Sequence, residues 1–593
     1  MSSVRTLRDY IENNLEKIGI VGSPSKLSEI KVDILEQATD KNLLGSLCVI
    51  PTTQGDKDLF IFGQITEVEL RNVWVEQPTI RGIIKQKGPV SPISGEHDLY
   101  TGTLSVISVF SYDGIHLSRE SLGRVPPTSS PVYIVNKEFM DEFNRLFGED
   151  RNFTFIGKYY GTEVLIPFEF RDFSKNGIGE AIHIGVFGKT GSGKSWLARM
   201  VLLGYAKNRD MGIFVIDSQG EFSKGFAKGI TRDITNKLGK EVKIVDIGNL
   251  RLVYPQKEQT LEALEKMLLS VPIDEFWKDF GIFTESKKIL LIKTIIESLD
   301  DLSKSSRGHF GSYSLNELLE DKFDEVLKSV KSKVDHIYSG KTSDGKQRQE
   351  AFKRDIDRNK SRIKSKWRSI AKWFIVKENE NISVSKVVEN ITDKGTIFII
   401  NFSEETVREK GLFWNDNIKY FILNELISHI KLTAEKEYLS DNTLNTLVIL
   451  DEAHRFAPYE TPTNEELARL KRTLVDAVRT TRKYGIGWMF ISQTFSSIDK
   501  EILNQLRVFF IGYGLNYGSE WNKLREIMGG EEVLEIYRTF GDPLVDKGTR
   551  RPSFIVKGPI IPFIPTSKAI AIDVLHFPDE FIEANFPDLS RGA

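Results

Sequence analysis

The fold of this chain is decided by one stretch, Gly188, Lys189, Thr190, Gly191, Ser192, Gly193, Lys194 and Ser195. It fits the pattern G-x-x-x-x-G-K-[S/T], which is typical of a phosphate-binding loop. The apolar run IHIGVFG before it predicts a buried strand, and SWLARMVLLGYAKN after it predicts a helix. In that context glycines let backbone N–H groups cradle phosphate oxygens at the positive end of the helix. The alternative is a glycine-rich turn that binds nothing.

The side chains that end this stretch have separate expected roles. Lys194 is expected to reach the β and γ phosphates of a nucleotide, and Ser195 to hold Mg²⁺. Trp196 follows directly and completes the predicted binding stretch. The sequence therefore predicts ATP and Mg²⁺ as the ligands of this loop.

A second motif, LVILDE, runs from Leu447 to Glu452. Its four apolar residues predict a buried strand, after which Asp451 would bind Mg²⁺, directly or through water, and Glu452 would polarise the attacking water. The alternative is an ordinary buried strand that ends in a charged turn. A glutamate directly after the metal-binding aspartate indicates the additional-strand class of P-loop ATPases. In that class Gln493, at the end of WMFISQ, would be a polar sensor, with a solvated amide as the alternative.

The remaining pattern predicts an α/β fold. Further buried-type strands are GIFVID, VKIVDI, GTIFIIN and RVFFIGYG, and helical segments separate them, which favours a parallel sheet covered on both faces. Short β-rich runs between turn signals precede this region and favour a small antiparallel barrel or sandwich. We expect a RecA-like, additional-strand ATPase core with an N-terminal β-barrel and a helical insertion. The predicted division is a helical arm (1–44), the barrel (45–172), the core (173–253 and 392–593) and the insertion (254–391).

Composition excludes several classes of protein. The chain has 593 residues and a net charge of −2, which excludes a globally basic, histone-like way of holding nucleic acid. The single cysteine, Cys48, cannot form an intramolecular disulfide, and the eight histidines form no metal-binding motif. There is no apolar run long enough for a transmembrane helix and no signal-peptide pattern at the N-terminus. The sequence predicts a cytoplasmic protein without a membrane anchor.

Four motifs in order carry a resemblance to a known family. They are FGKTGSGKS, IDSQGEF (Ile216 to Phe222), LVILDEAHRF (Leu447 to Phe456) and RTTRKYGIGWMFISQ (Arg479 to Gln493). Together, after a β-rich domain, they resemble HerA, the hexameric DNA-translocating ATPase of the FtsK–HerA group. The resemblance implies a homo-hexamer around double-stranded DNA. It also implies that a separate effector protein docks on the N-terminal barrel.

The same resemblance implies roles for other residues. ATP would lie between subunits, and Arg482 would be the arginine that a neighbouring subunit contributes, with Arg479 in reserve. The alternatives are a surface cation or a salt bridge to Asp476. Asp217 and Glu221 would lie near the nucleotide or its metal-bound water, with a helix N-cap as the alternative for Asp217. The chain departs from the family at Ala181-Ile182-His183, where the family has an arginine, so a second transferred arginine is not expected there.

Two segments are candidates for contact with DNA phosphates. The first, from Gly340 to Lys372, holds twelve Lys or Arg against four acids, and its alternative is a solvated helix face. Its tryptophans, Trp367 and Trp373, predict that this helix docks on another element. The second is the cluster Arg469, Lys471 and Arg472, after the Glu452 strand.

These observations lead to two hypotheses. The first is a ring-forming, ATP-dependent double-stranded DNA translocase or helicase. It would work with a partner nuclease or NADase in DNA end processing or anti-phage defence. The second is an ATP-binding hexameric scaffold that assembles and activates such an effector with little translocation. A conjugation-type ATPase at a secretion channel is less favoured, because the sequence has no membrane anchor.

Overall fold

The structure, a computed structural model, describes residues 7–590 except 91, 92, 94, 115, 148–151, 305–312, 378, 379, 393, 394, 531, 543, 544 and 546–550. Its first part is a β-barrel. The barrel strands are β1 (Glu16–Val21), β2 (Glu29–Ile34), β3 (Leu47–Gln54), β4 (Lys57–Arg71), β5 (Leu99–Tyr112), β6 (Leu117–Arg119) and β7 (Pro131–Ile134). The helices of this part are α1 (Leu7–Asn14), α2 (Val73–Glu76), α3 (Pro78–Lys87) and α4 (Lys137–Phe147).

The barrel closes because β2 pairs with β5, so that the strand order β2-β1-β7-β3-β4-β5 returns to β2. Its interior is a cluster of aliphatic side chains that includes Ile18, Ile30, Ile50, Ile61 and Leu104. Cys48 is buried in this cluster, and burial raises the pKa of its thiol well above the ordinary value.

The predicted helical arm over 1–44 is wrong beyond α1. Residues from Glu16 onward form β1 and β2, which are barrel strands. The burial of β2 alternates along its length, and its sequence EIKVDI carries the same alternation of apolar and polar residues. A pairing between β2 and β5 then fixes the segment in the sheet.

The core begins with β8 (Thr154–Tyr159), β9 (Leu165–Phe168), β10 (Ile184–Phe187), β11 (Gly212–Asp217) and β12 (Glu241–Asp246). Its first helices are α5 (Lys194–Ala206), α6 (Glu221–Ala227) and α7 (Ile230–Lys237). The segment that follows contains β13 (Leu250–Arg251) and β14 (Ile382–Ser383). Between and after them lie α8 (Lys257–Ser270), α9 (Glu285–Lys304), α10 (Leu315–Leu319), α11 (Phe323–Ser332), α12 (Ser343–Arg358), α13 (Lys360–Ala371) and α14 (Val384–Thr392).

Tryptophans organise the helical segment. The side chains of Trp277, Trp367 and Trp373 are fully buried, and each indole N–H donates to a backbone carbonyl. The ring of Trp367 stacks on Phe323 with centroids 4.2 Å apart. Trp367 therefore docks this helix within its own helical segment, whereas the indole of Trp373 contacts Phe413 and Trp414 of the core.

The second part of the core contains β15 (Thr396–Asn401), β16 (Thr446–Leu450), β17 (Ile486–Ser492), β18 (Val508–Gly512), β19 (Ser553–Lys557) and β20 (Ala569–Val574). Its helices are α15 (Glu405–Glu409), α16 (Asp416–Leu439), α17 (Glu465–Thr480), α18 (Lys500–Gln505), α19 (Gly518–Met528), α20 (Glu532–Arg538), α21 (Asp579–Asn585) and α22 (Pro587–Ser590). None of the described helices combines the length and apolarity needed to cross a membrane.

Strands from both parts of the core form one sheet, in the order β12-β15-β11-β16-β17-β10-β18-β19-β20-β8-β9. The strands from β12 to β18 are parallel, and β17 lies between β10 and β16. This arrangement confirms the predicted α/β core with an additional strand. The assignment of β8 and β9 to the barrel domain is corrected, because β8 pairs with β20 and extends the core sheet.

Candidate active site

The phosphate-binding loop connects β10 to α5, and its glycines allow it to turn tightly. Gly191 and Gly193 have φ angles of +84° and +88°, in the left-handed region that other residues rarely adopt. A Cβ added to Gly193 would lie 2.8 Å from Cβ of Pro552. The C-terminal part of the chain therefore packs directly against this loop.

Lys194 folds back over the loop. Its Nζ donates to the carbonyl oxygens of Gly188 (2.7 Å) and Lys189 (3.0 Å). Burial lowers the pKa of this amine, and the carboxylates of Glu452 and Asp451 oppose that effect. These contacts hold a cation beside the loop, in the position that phosphate binding requires.

Asp451 and Glu452 follow β16 at the carboxyl end of the sheet. Glu452 has a φ of +50°, which is unusual for a residue with a long side chain and is a form of backbone strain found at functional sites. Its Oε1 accepts a hydrogen bond from Gln219 at 3.0 Å. Its Oε2 is buried and has no hydrogen-bond partner among the described residues, although Nδ1 of His454 lies 3.3 Å away.

The carboxylates repel one another. Burial, together with the charges of Glu452, Asp217 and Glu221, raises the pKa of Asp451 to about 7. A hard divalent cation would relieve this repulsion, and oxygen donors are the ligands that Mg²⁺ prefers. The described residues contain no group of three or more His, Cys, Asp or Glu side chains able to hold a metal ion alone. The donor set therefore fits Mg²⁺ that is shared with nucleotide phosphates.

A cavity of about 780 Å³ joins these groups. Its wall contains Thr190 to Trp196, Asp451 and Glu452, and Gln493 at the end of β17. The structure thus brings the predicted loop, the acidic pair and the predicted sensor to one site. Gly188 and Lys189 lie at the base of the loop, where their carbonyls hold Lys194.

Several wall residues were not predicted from the sequence: Arg199, Gln219, Phe540, Arg551 and His576. Arg199 donates to the carbonyl of Glu221 at 2.8 Å. The rings of Trp196 and His576 are 6.4 Å apart, and Arg551 is held by Glu163 and Glu580. Most of these residues come from the C-terminal part of the chain, which no phosphate-binding motif marks.

Asp217 is fully buried and organises a turn. Its carboxylate accepts hydrogen bonds from the backbone N–H of Gly220 (2.9 Å) and from the N–H and hydroxyl of Ser223 (both 2.7 Å). The carboxylate of Asp217 therefore stabilises the first turn of α6, although Gly220 occupies the N-cap position. Glu221, in contrast, lines the cavity.

Arg482 lies away from the nucleotide cavity. It forms an ion pair with Glu180, at the amino end of β17. The alternative of a salt bridge to Asp476 is wrong, because Asp476 pairs with Lys431. Arg479 pairs with Glu501 at 3.2 Å.

Half of the cations in the basic run from Gly340 to Lys372 are neutralised within the described part of the chain. Among the described residues, six of its twelve cations form ion pairs, four of them to Asp279 and Asp324: Arg348, Lys353, Lys360, Arg362, Lys364 and Lys366. Lys372 donates to the carbonyl of Lys410. The exposed remainder consists of Lys341, Lys346, Arg354, Arg358 and Arg368.

The cations of the cluster on α17 are also partly engaged in contacts within the chain. Lys471 pairs with Asp499 at 3.0 Å and donates to two backbone carbonyls, so it stabilises the adjacent loop. Arg469 lies 3.5 Å from Glu466. Arg472 is exposed and forms no ion pair within the described part of the chain.

The comparison with protein families covers the part of the chain that contains the phosphate-binding loop. Residues 181–430 match the family model described as "Helicase HerA, central domain". The HerA-type recognition is therefore confirmed over this segment, which contains the phosphate-binding loop. No match was found among the curated proteins.

Three of the solved structures that resemble the chain are described here. VirB4 of Thermoanaerobacter pseudethanolicus is 13% identical, with 73% of this chain and 99% of that chain covered and a TM-score of 0.38. The bacterial conjugative coupling protein TrwB is also 13% identical, with 74% and 92% covered and a TM-score of 0.39. The genome packaging NTPase B204 from Sulfolobus turreted icosahedral virus 2, in complex with AMPPCP, is 9% identical, with 67% and 98% covered and a TM-score of 0.27.

Proposed function

We propose that this protein is an ATP hydrolase that forms a hexameric ring and moves double-stranded DNA through its centre. One observation carries the proposal. Lys194, Asp451, Glu452 and Gln493 line a single cavity at the carboxyl end of a sheet in which β17 separates the two motif strands. The match of residues 181–430 to the HerA central domain supports it.

Each of the residues that line this cavity has its own proposed role in the hydrolysis of ATP. A water oxygen forms a bond to the γ-phosphorus while the bond from that phosphorus to the β–γ bridging oxygen breaks, which releases ADP and inorganic phosphate. Glu452 orients this water and accepts its proton through the buried Oε2. Lys194 neutralises charge on the phosphates, and Gln493 positions the γ-phosphate from β17.

Ser195 and Asp451 are the residues that would hold Mg²⁺. When bound, Mg²⁺ neutralises charge on the β and γ phosphate oxygens. Coordination requires Asp451 to be ionised. The proximity of Lys194, whose charge attracts the carboxylates, favours that state.

Arg482 is proposed to complete the site of a neighbouring subunit. It lies before β17, whereas Gln493 and the nucleotide cavity lie after this strand. The seven residues of β17 span about 23 Å at ~3.3 Å each. An arginine at that distance cannot reach its own nucleotide, so the proposed contact is in trans.

We further propose that a separate nuclease or NADase docks on the barrel and that DNA contacts are electrostatic. Gln64 of the barrel donates to the carbonyl of Ala571 in β20 (3.2 Å) and accepts from its N–H (3.3 Å), which couples the barrel to the core sheet. Arg472 and the exposed cations of α12 and α13 are the proposed phosphate contacts.

An ATP-binding scaffold remains the second candidate. The ion pairs that neutralise half of the basic run favour it, because they leave fewer cations for DNA. In this candidate the ring hydrolyses ATP to assemble an effector, and DNA changes the rate little.

The discriminating experiment is steady-state ATP hydrolysis with and without linear duplex DNA, on protein of known mass in solution. The translocase predicts a particle of about six chains whose hydrolysis is stimulated by DNA and falls steeply with added salt. A ring that hydrolyses ATP at the same rate with and without DNA would favour the scaffold. Equal rates of hydrolysis by the wild type and by Lys194→Ala would contradict the proposed function.

A further inference from the structure

The loop between β11 and α6 lies beside the acidic pair that follows β16. In the parallel pairing of these two strands, Ile216 lies opposite Leu450. The backbone N–H of Asp451 donates to the carbonyl of Ile216 at 3.2 Å, and the hydroxyl of Ser218 donates to the carbonyl of Asp451 at 3.3 Å. Two hydrogen bonds therefore hold the carboxyl ends of the two strands together.

The backbone of this loop is also held from its other end. The buried carboxylate of Asp217 accepts hydrogen bonds from the backbone N–H groups of Gly220 (2.9 Å) and Ser223 (2.7 Å). Gly220 has a φ of +77°, a conformation that glycine adopts without steric cost. Gln219 lies between these anchored residues, so the fold itself sets the position from which its side chain extends.

The side chain of Gln219 is the part of the loop that contacts the acidic pair. It is exposed, lines the nucleotide cavity and donates from Nε2 to Oε1 of Glu452 at 3.0 Å. The other carboxylate oxygen, Oε2, is buried and accepts no hydrogen bond from the described residues. The amide of Gln219 thus makes the two oxygens of Glu452 different: Oε1 is held, and Oε2 keeps its lone pairs.

Glu452 requires such support because its own conformation does not fix the carboxylate. Its φ of +50° is rare for a residue with a long side chain. The last torsion of a glutamate has a broad minimum, so rotamer preference does not set the plane of the carboxylate. Nδ1 of His454 lies 3.3 Å from Oε2. Among the described residues, Gln219 is the one whose side chain donates a hydrogen bond to this carboxylate.

We propose that Gln219 is a positioning residue for ATP hydrolysis, which orients Glu452 so that Oε2 faces the water that attacks the γ-phosphate. This inference rests on the proposed function. The proton leaves the water and is accepted by Oε2, while the N–H of Gln219 stays on Oε1. Gln219 exchanges no proton itself, because its amide does not titrate.

The variant that tests this role is Gln219→Met, which keeps the length of the side chain and removes the amide. Gln219→Glu keeps the shape and replaces the donor by a carboxylate, which repels Glu452. Lys224→Ala is the matched control, because Lys224 is an exposed residue of the adjacent helix α6 and lies outside the nucleotide cavity. The side chains of Gln219 and Lys224 are both exposed, so all three variants are expected to keep the unfolding temperature of the wild type.

Both Gln219 variants are expected to have a kcat at least about tenfold below that of the wild type, because a misaligned base loses the benefit of orientation. Their affinity for a non-hydrolysable ATP analogue is expected to stay within about threefold of wild type, since the phosphate-binding loop is intact. Lys224→Ala is expected to match the wild type in both assays. A wild-type kcat in Gln219→Met would overturn the inference. A loss of affinity with an unchanged kcat would also overturn it, because Gln219 would then bind the nucleotide instead of orienting the base.

A double-mutant cycle shows whether Gln219 acts through Glu452. Adding Gln219→Met to Glu452→Gln is expected to change the rate of a single turnover by less than about twofold, because the base that Gln219 orients is already absent. A further loss as large as the loss in the wild-type background would show an independent role and overturn the inference.

Two outcomes separate this inference from the proposed function. If the wild type hydrolyses no ATP, the proposed function fails and the role of Gln219 fails with it. If the wild type hydrolyses ATP and Lys194→Ala does not, while Gln219→Met keeps the wild-type kcat, only the role of Gln219 fails.

Discussion

The buried histidine His183, which lies between strands of the core sheet, makes the stability of the folded protein depend on pH in a way that can be measured. This residue is 1% exposed and precedes β10. Its Nε2 lies 3.0 Å from the carbonyl of Val478, and its Nδ1 accepts the backbone N–H of Trp488 at 3.2 Å. These partners fix the neutral tautomer in which Nε2 carries the proton. A second proton on Nδ1 would face the N–H of Trp488, so the folded protein resists protonation.

The expected loss in the free energy of unfolding follows from the pKa of His183 in the folded chain and in the unfolded chain. Burial lowers the pKa of His183 from 6.5 to about 4. The unfolded chain binds a proton at His183 below pH 6.5 and the folded chain does not until about pH 4, so stability falls as the pH is lowered through this window. At pH 5 the expected loss is about 2 kcal/mol, since one pKa unit corresponds to ~1.4 kcal/mol.

The perturbation is His183→Gln, whose amide can donate to Val478 and accept from Trp488 but does not titrate. Urea unfolding is followed by tryptophan fluorescence at pH 7 and pH 5 for both proteins. Between these pH values the wild type is expected to lose about 2 kcal/mol more than the variant, because carboxylate contributions are common to both and cancel. Equal losses in the two proteins would refute the account of His183 as a buried, neutral imidazole.

The other predictions concern the nucleotide site. Lys194→Ala is expected to abolish tight nucleotide binding, measured with a fluorescent ATP analogue. Glu452→Gln is expected to bind ATP yet hydrolyse it at least about a hundredfold more slowly, and equal hydrolysis would exclude Glu452 as the base. Gly193→Ala is expected to weaken ATP binding at least about tenfold, because the added Cβ would collide with Pro552 at a φ that favours glycine; unchanged affinity would show that the loop can adjust. Arg482→Ala subunits are expected to lower the hydrolysis rate of wild-type neighbours in mixed rings, and a rate that follows simple dilution would argue against action in trans.

The sequence alone was sufficient to predict the centre of the fold. IHIGVFGKTGSGKS, LVILDE and WMFISQ each combine a buried strand with the residues that follow it, so local pattern is enough to place β10, β16 and β17 and the side chains at their ends. The order of these strands then follows from the class of ATPase. Gln493 lines the nucleotide cavity for this reason, since it directly follows the strand between the two motifs.

What sequence reasoning missed depends on contacts between distant segments. β8 belongs to the core sheet because it pairs with β20, more than 400 residues away, and no local pattern encodes that partner. Arg551 and His576 enter the nucleotide cavity through the same C-terminal strands.

Movement of DNA by this protein is tested by ATP-driven displacement of a third DNA strand from a linear duplex. The wild-type ring is expected to displace this strand in the presence of ATP and Mg²⁺, whereas Glu452→Gln, which is expected to bind ATP but not turn it over, is expected to leave it in place. Steady ATP hydrolysis by the wild type without any displacement, at salt concentrations where the ring binds duplex, would contradict the claim that this protein moves DNA.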